Sequence, residues 1–182
     1  MRNLLSTKDQ RQLRLMETLI QNRNWMKLHE LAEKLGCTER ILKSDLNELR
    51  VAFPSIDIQS SVNGIMIDLE VNTSVEDIYQ YFLANSQSFQ LLEYLFFNEG
   101  LPIYRTIENL HSSNANLYRL GRNITKTLST QFQIELSFTP SEIRGNEIDI
   151  RYFFAQYFSE RYYFLDWPFP DLPEEDLTEF AD

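Results

Sequence analysis

Apolar positions along this chain repeat with a helical period, then alternate with a period of two, and then do both again. Leu13, Met16 and Ile20 recur at i, i+3 and i+7, with Leu15 and Leu19 widening the stripe. The capping-box spacing of Thr7 and Gln10 starts that helix near Lys8, and Asn22–Asn24 ends it. Trp25 and Met26 form an extended link. Leu28, Leu31, Ala32 and Leu35 then give one face of a short helix, which Gly36 breaks by taking the left-handed conformation. Thr38 is a natural N-cap, Glu39 suits the positive end of the helix dipole, and Ile41, Leu42, Leu46 and Leu49 point inward. Pro54 stops the helical run. Ile56 and Ile58 alternate with polar residues, as do Ile65, Ile67 and Leu69, and Asn63-Gly64 between them predicts a tight hairpin turn.

Residues 72–88 connect this unit to a second one. Ser74 and Asp77 cap a helix through Ile78, Tyr81 and Phe82, which Asn85–Ser88 interrupts. A strongly apolar helix over Phe89–Phe97 follows, and Pro102 opens another with Ile103, Ile107 and Leu110 inward. His111-Ser112-Ser113 is a turn, and Asn114–Leu128 is a helix burying Leu117, Leu120, Ile124 and Leu128. Ile134–Phe138 and Glu142–Arg144 flank Thr139-Pro140 as a second hairpin. The expected fold is mainly α with small β-hairpin wings: two tandem winged helix-turn-helix domains over residues 1–70 and 71–146. Residues 147–182 read as the helical start of a further domain cut short, because Phe153, Phe154, Tyr157 and Phe158 have no later chain to cover them; the alternative is a helix that packs back on the second domain or on another subunit.

The faces turned away from the apolar stripes carry the candidate chemistry. Arg40, Lys43, Asn47 and Arg50 fall on one side of the helix after Thr38, with Ser44 beside them. Arg and Lys suit phosphates or guanine edges, and Asn suits adenine. Arg50 is expected at a phosphate and Asn47 at adenine, while Asn63 at the wing tip would lie near a DNA backbone. The second copy shows Ser113, Asn114, Tyr118, Arg119, Arg122 and Lys126. An ordinary solvated helix face would hold similar residues. A hairpin directly after each striped helix favours double-stranded DNA as the partner.

The formal net charge of −10 at first argues against DNA. Its distribution removes the objection. Residues 1–68 carry ten Lys/Arg against nine Asp/Glu, residues 69–144 carry five against eight, and residues 145–182 carry two against ten. The acidity is concentrated past the striped helices.

Other chemistry has little support. His29 and His111 lack ligand-spaced partners, so no metal site or cofactor is expected. The single cysteine, Cys37, allows no intramolecular disulfide and reads as a small turn residue more readily than as a redox sensor. No Gly-rich phosphate loop or nucleophile motif occurs, so an enzyme is not expected. No apolar run approaches the roughly 20 residues of a membrane helix, and residues 1–12 lack a signal-peptide core. The expectation is a cytoplasmic protein without a membrane partner.

Four stretches resemble the Mga-type bacterial global transcriptional regulators: LHELAEKLGCTERILKSDLNEL at 28–49, FFNEG at 96–100, SSNANLYR at 112–119, and GNEIDIRYFFAQYFSERYYFLDWPF at 145–169. The last is the most specific. The resemblance implies a regulator of virulence or metabolism with two N-terminal DNA-binding domains. Regulatory domains like those of phosphotransferase-controlled regulators would follow, then a domain resembling a sugar-transport component. The phosphorylatable histidines of such relatives lie in domains this sequence lacks, and homo-oligomerisation would use parts mostly absent from it. Two alternatives stand beside the DNA reading: a protein-interaction module with degenerate winged helices, and an RNA-binding antiterminator.

Overall fold

A computed structural model describes residues 1–69, 74–163 and 167–169. The chain forms two compact units, Leu5–Phe82 and a second that takes Leu83 onward together with Met1–Leu4.

In the first unit, α1 (Thr7–Asn22) buries Leu13, Leu15, Met16, Leu19 and Ile20, the stripe that the period predicts. Its N-cap is Ser6 rather than Thr7: the Ser6 hydroxyl accepts from the Asp9 amide at 3.1 Å. Both hydroxyls have the required chemistry, and the extended backbone of Ser6 decides between them. Helix α2 (Leu28–Lys34) leads to Gly36, whose φ of 63° requires a residue without Cβ strain. Helix α3 (Glu39–Ala52) starts at Thr38, whose hydroxyl accepts from the Ile41 amide. Ile41 is a correction to the inward set: it is 40% exposed, while Leu42, Leu46 and Leu49 are buried. The apolar arc is narrower than the one drawn from sequence.

Strands β1 (Ile56–Ser61) and β2 (Gly64–Leu69) pair antiparallel, with Ile58 opposite Ile67 and Ser61 opposite Gly64. The turn residues are therefore Val62 and Asn63, one position earlier than Asn63-Gly64. Gly64 has a different task. Met26 and Ile65 exchange backbone hydrogen bonds at 2.9 and 2.8 Å, so the link before α2 forms a third, one-residue strand against β2. A Cβ on Gly64 would lie 2.0 Å from the Met26 carbonyl oxygen, and Gly64 φ is 127°. Gly64→Ala should therefore lower the unfolding free energy of the first unit by at least about 1–3 kcal/mol, the usual cost of such strain, as read by denaturant titration. Helix α4 (Val75–Asn85) has the reciprocal Ser74–Asp77 cap at 2.8 and 3.0 Å, and Tyr81 and Phe82 pack on Phe53.

The second unit repeats the order. Helix α5 (Gln87–Phe97) is followed by Gly100 and Leu101, which bond to Ser141 as Met26 bonds to Ile65. Helix α6 (Ile103–Asn109) ends at a turn where His111 takes φ 45°, the place held by Gly36 in the first unit. Helix α7 (Asn114–Gln131) is capped by the Ser113 hydroxyl, and β3 (Glu135–Phe138) and β4 (Ser141–Arg144) form its wing around the Thr139-Pro140 turn. Gly121, unfavourable inside a helix, lies under that wing: a Cβ there would sit 2.4 Å from the Phe138 ring. The missing side chain lets the wing close onto α7.

Helix α8 (Glu147–Tyr162) is capped by Asn146. Its aromatics pack back on the second unit, buried against α5. Tyr157 stacks on Phe89 at 5.1 Å and donates to the Phe89 carbonyl at 2.9 Å, and Phe96 packs on Phe154 and Phe158. The Tyr157 hydroxyl also donates to Glu93, and burial pushes its pKa well above the ordinary range. Residues 164–166 and 170–182 of the third predicted segment lie outside the described residues. No helix among those described is long and apolar enough to cross a membrane.

Candidate nucleic-acid interface

The position of α3 is set by a buried carboxylate that periodicity alone does not announce. Asp45 falls on the inner arc between Leu42 and Leu49 and is 1% exposed. Arg11 of α1 grips it through Nε at 2.6 Å and Nη2 at 3.0 Å, and Gln12 Nε2 donates at 3.1 Å. The bond to Asp45 holds the Arg11 pKa above its ordinary value. One turn on, Glu48 accepts from Lys8 and Gln12, which hold its pKa below the usual carboxylate value. The sequence signal was present, since Asp45 is a charged residue at an inward position of an amphipathic helix. Its partner Arg11 lies too far along the chain for periodicity to reveal.

The outer face of α3 presents Arg40, Lys43, Ser44 and Asn47, all exposed. Arg50 is half-buried and engaged within the protein. Its Nε donates to the Ile58 carbonyl at 3.1 Å, Nη1 to Asn47 Oδ1 at 3.2 Å, and Nη2 to the Ser60 hydroxyl. Arg50 thus braces the helix against the wing, and these bonds leave it fewer free donors for the phosphate expected there. Lys27 Nζ donates to the Val62 carbonyl at 3.0 Å, steadying the wing tip beside Asn63, which is exposed. Between helix and wing lies a cleft of about 360 Å³, with Lys43, Asn47 and Arg50 on one wall and Ser60 and Ser61 on the other.

In the second unit, Ser113, Asn114, Tyr118, Arg119, Arg122 and Lys126 are likewise exposed. Counting from the N-caps Thr38 and Ser113, Lys43 corresponds to Tyr118, Ser44 to Arg119, Asn47 to Arg122, and Arg50 to Thr125. Thr125 keeps the bracing function by a different bond, its hydroxyl accepting from the Leu136 amide of the wing at 3.0 Å. Arg119 donates to Asn116 Oδ1 at 2.7 Å, and Tyr118 meets Phe138 edge-on at 5.3 Å, so part of this face is held by local contacts. The two stripes fall in separate units, and each is brought together within its own. Burial pushes the Cys37 thiol up, which disfavours the reactive thiolate, and no group of His, Cys, Asp and Glu among the described residues could hold a metal ion.

Two capped helices, each preceded by a short helix and a tight turn and followed by a hairpin wing, define a tandem winged helix-turn-helix protein. Residues 6–65 match the M protein trans-acting positive regulator (MGA) HTH domain, and residues 71–158 match the Mga helix-turn-helix domain. A protein named as a trans-acting regulator in Streptococcus pneumoniae serotype 4 is 47% identical over 160 residues, covering 88% of this chain and 32% of the relative. The capsule synthesis positive regulator AcpA of Bacillus anthracis is 26% identical over 156 residues, covering 82% of this chain and 31% of its own length. The two helix-turn-helix matches place the chain in the Mga family. It spans about a third of the length of the curated relatives it matches.

Proposed function

We propose that this chain is the promoter-binding part of an Mga-type regulator of virulence or metabolism, and that both winged helices engage duplex DNA. Helix α3 enters a major groove through Arg40, Lys43, Ser44 and Asn47, while α7 engages a neighbouring segment through Tyr118, Arg119, Arg122 and Lys126. Asn63, Ser113 and Asn114 lie where a wing tip and a helix start meet the backbone. The role is non-enzymatic, the location cytoplasmic, and self-association runs through segments beyond the winged helices. Residues 147–182 read as the lead-in to a regulatory domain.

The single observation that carries this reading is an exposed polar and basic face on a capped helix beside a wing, present in both units. Five of its side chains, Arg40, Lys43, Arg119, Arg122 and Lys126, are placed to neutralise phosphates. Such a set gives a slope of log affinity against log salt of about −4.5, so affinity should fall by roughly 500-fold between about 50 and 200 mM salt. A mobility-shift titration on the upstream region of its own gene measures it. A flat response, or equal competition by RNA of the same sequence, would rule the reading out.

A further inference from the structure

Asn47 on helix α3 is held with its donor end free and its acceptor oxygen already engaged by a cation. Its Oδ1 accepts from Arg50 Nη1, and a guanidinium has donors alone, so the amide oxygen must be the atom facing it. Arg50 cannot swing away cheaply, because the same guanidinium is fixed to the Ile58 carbonyl and the Ser60 hydroxyl of the wing. The Asn47 Nδ2, with two N–H groups, has no partner among the described residues, and Asn47 is exposed and lines the cleft between helix and wing. Bidentate recognition of adenine needs the same amide to accept from N6 as well as donate to N7. Here the acceptor is shared with a cation, which disfavours the approach of the electropositive N6 amino group.

The surrounding cleft has the same polarity. Its polar lining comes from Lys43, Asn47, Arg50, Ser60 and Ser61, with no carboxylate. Such a wall complements a base edge that offers acceptors only. In the major groove guanine offers two acceptors, O6 and N7, for the two N–H groups of Asn47, whereas thymine offers O4 alone.

We propose that Arg50 is a positioning residue that locks Asn47 as a hydrogen-bond donor, so that α3 reads guanine, not adenine, at the base pair Asn47 faces. The proposal rests on the reading of α3 as a major-groove helix. It also changes the meaning of Arg50, which acts through Asn47 and the wing instead of through a phosphate.

The test is selection of bound duplexes from a pool randomised over the footprint, using the full chain and the Asn47→Ala, Arg50→Met and Arg50→Lys variants. The expected result is a guanine preference of about tenfold at one position, abolished in Asn47→Ala with the rest of the site unchanged. Arg50→Met frees the amide oxygen and should admit adenine at that same position. Arg50→Lys, which keeps the charge, controls for a loss of folding in Arg50→Met. An adenine preference at the Asn47-dependent position in the unaltered chain would overturn the proposal. So would an Asn47→Ala selection indistinguishable from the unaltered one, which would leave Asn47 at a phosphate. In both cases selective duplex binding would remain intact, whereas failure to select any duplex would remove the major-groove reading and the proposal with it.

Discussion

Arg11→Ala or Asp45→Ala should each lower the unfolding free energy of the first unit by about 3–5 kcal/mol, the typical cost of stripping one partner from a buried ion pair. The Asp45 side chain is 2% exposed, and both of its oxygens are used: Oδ2 by Arg11 Nε, and Oδ1 by Arg11 Nη2 and Gln12. Removing the guanidinium would leave a carboxylate in an apolar setting with one amide donor. Removing the carboxylate would leave Arg11, itself only 19% exposed, without its counter-charge. Domains of this size are stable by about 5–15 kcal/mol, so either change consumes a large part of the total. Urea unfolding followed by circular dichroism measures the effect. The double variant Arg11→Met/Asp45→Leu should recover most of the loss, because burying neither charge is cheaper than burying one. A loss below about 1 kcal/mol in both single variants would show that the pair is solvated and does not fix α3 on α1.

Charge reversal on the exposed faces should do the opposite, leaving stability alone and removing binding. Lys43 and Arg122 are exposed and make no ion pair or side-chain hydrogen bond among the described residues. Lys43→Glu or Arg122→Glu should therefore change unfolding by less than about 0.5 kcal/mol. Each substitution replaces attraction to the phosphates by repulsion, and a loss of affinity on the order of tenfold to a hundredfold is expected at physiological salt. The two units share one chain, so losing either reader also forfeits the effective-concentration gain of the other. The double variant should bind no better than a non-specific competitor allows. Unaltered affinity in both single variants would place the interface elsewhere.

The contrast between these two predictions marks what the sequence made legible. The helices and hairpins were readable because their apolar periods are long and end signals such as the Thr38 cap and the Ser74–Asp77 cap have the chemistry the ends require. The stripes were readable for the same reason, since a face not buried by the period must meet solvent or a partner. Side chains whose role depends on a residue far along the chain were not readable. Gly64 looked like a turn glycine and serves the close approach of Met26; Gly121 looked like a weakness and admits Phe138. Asp45 falls at an inward position of its helix, but only the fold places Arg11 against it. The α8 aromatics looked uncovered because α5, which covers them, precedes them by a whole winged helix. Arg50 looked free because the wing oxygens that bind it belong to a strand formed later.

The central claim is that two winged helices on one chain each engage duplex DNA. Nuclease footprinting on the upstream region, with the unaltered chain, Lys43→Glu and Arg122→Glu side by side, measures it most directly. The account predicts two adjacent protected segments, with Lys43→Glu losing one and Arg122→Glu the other. A single segment, lost with Lys43→Glu and untouched by Arg122→Glu, would contradict it.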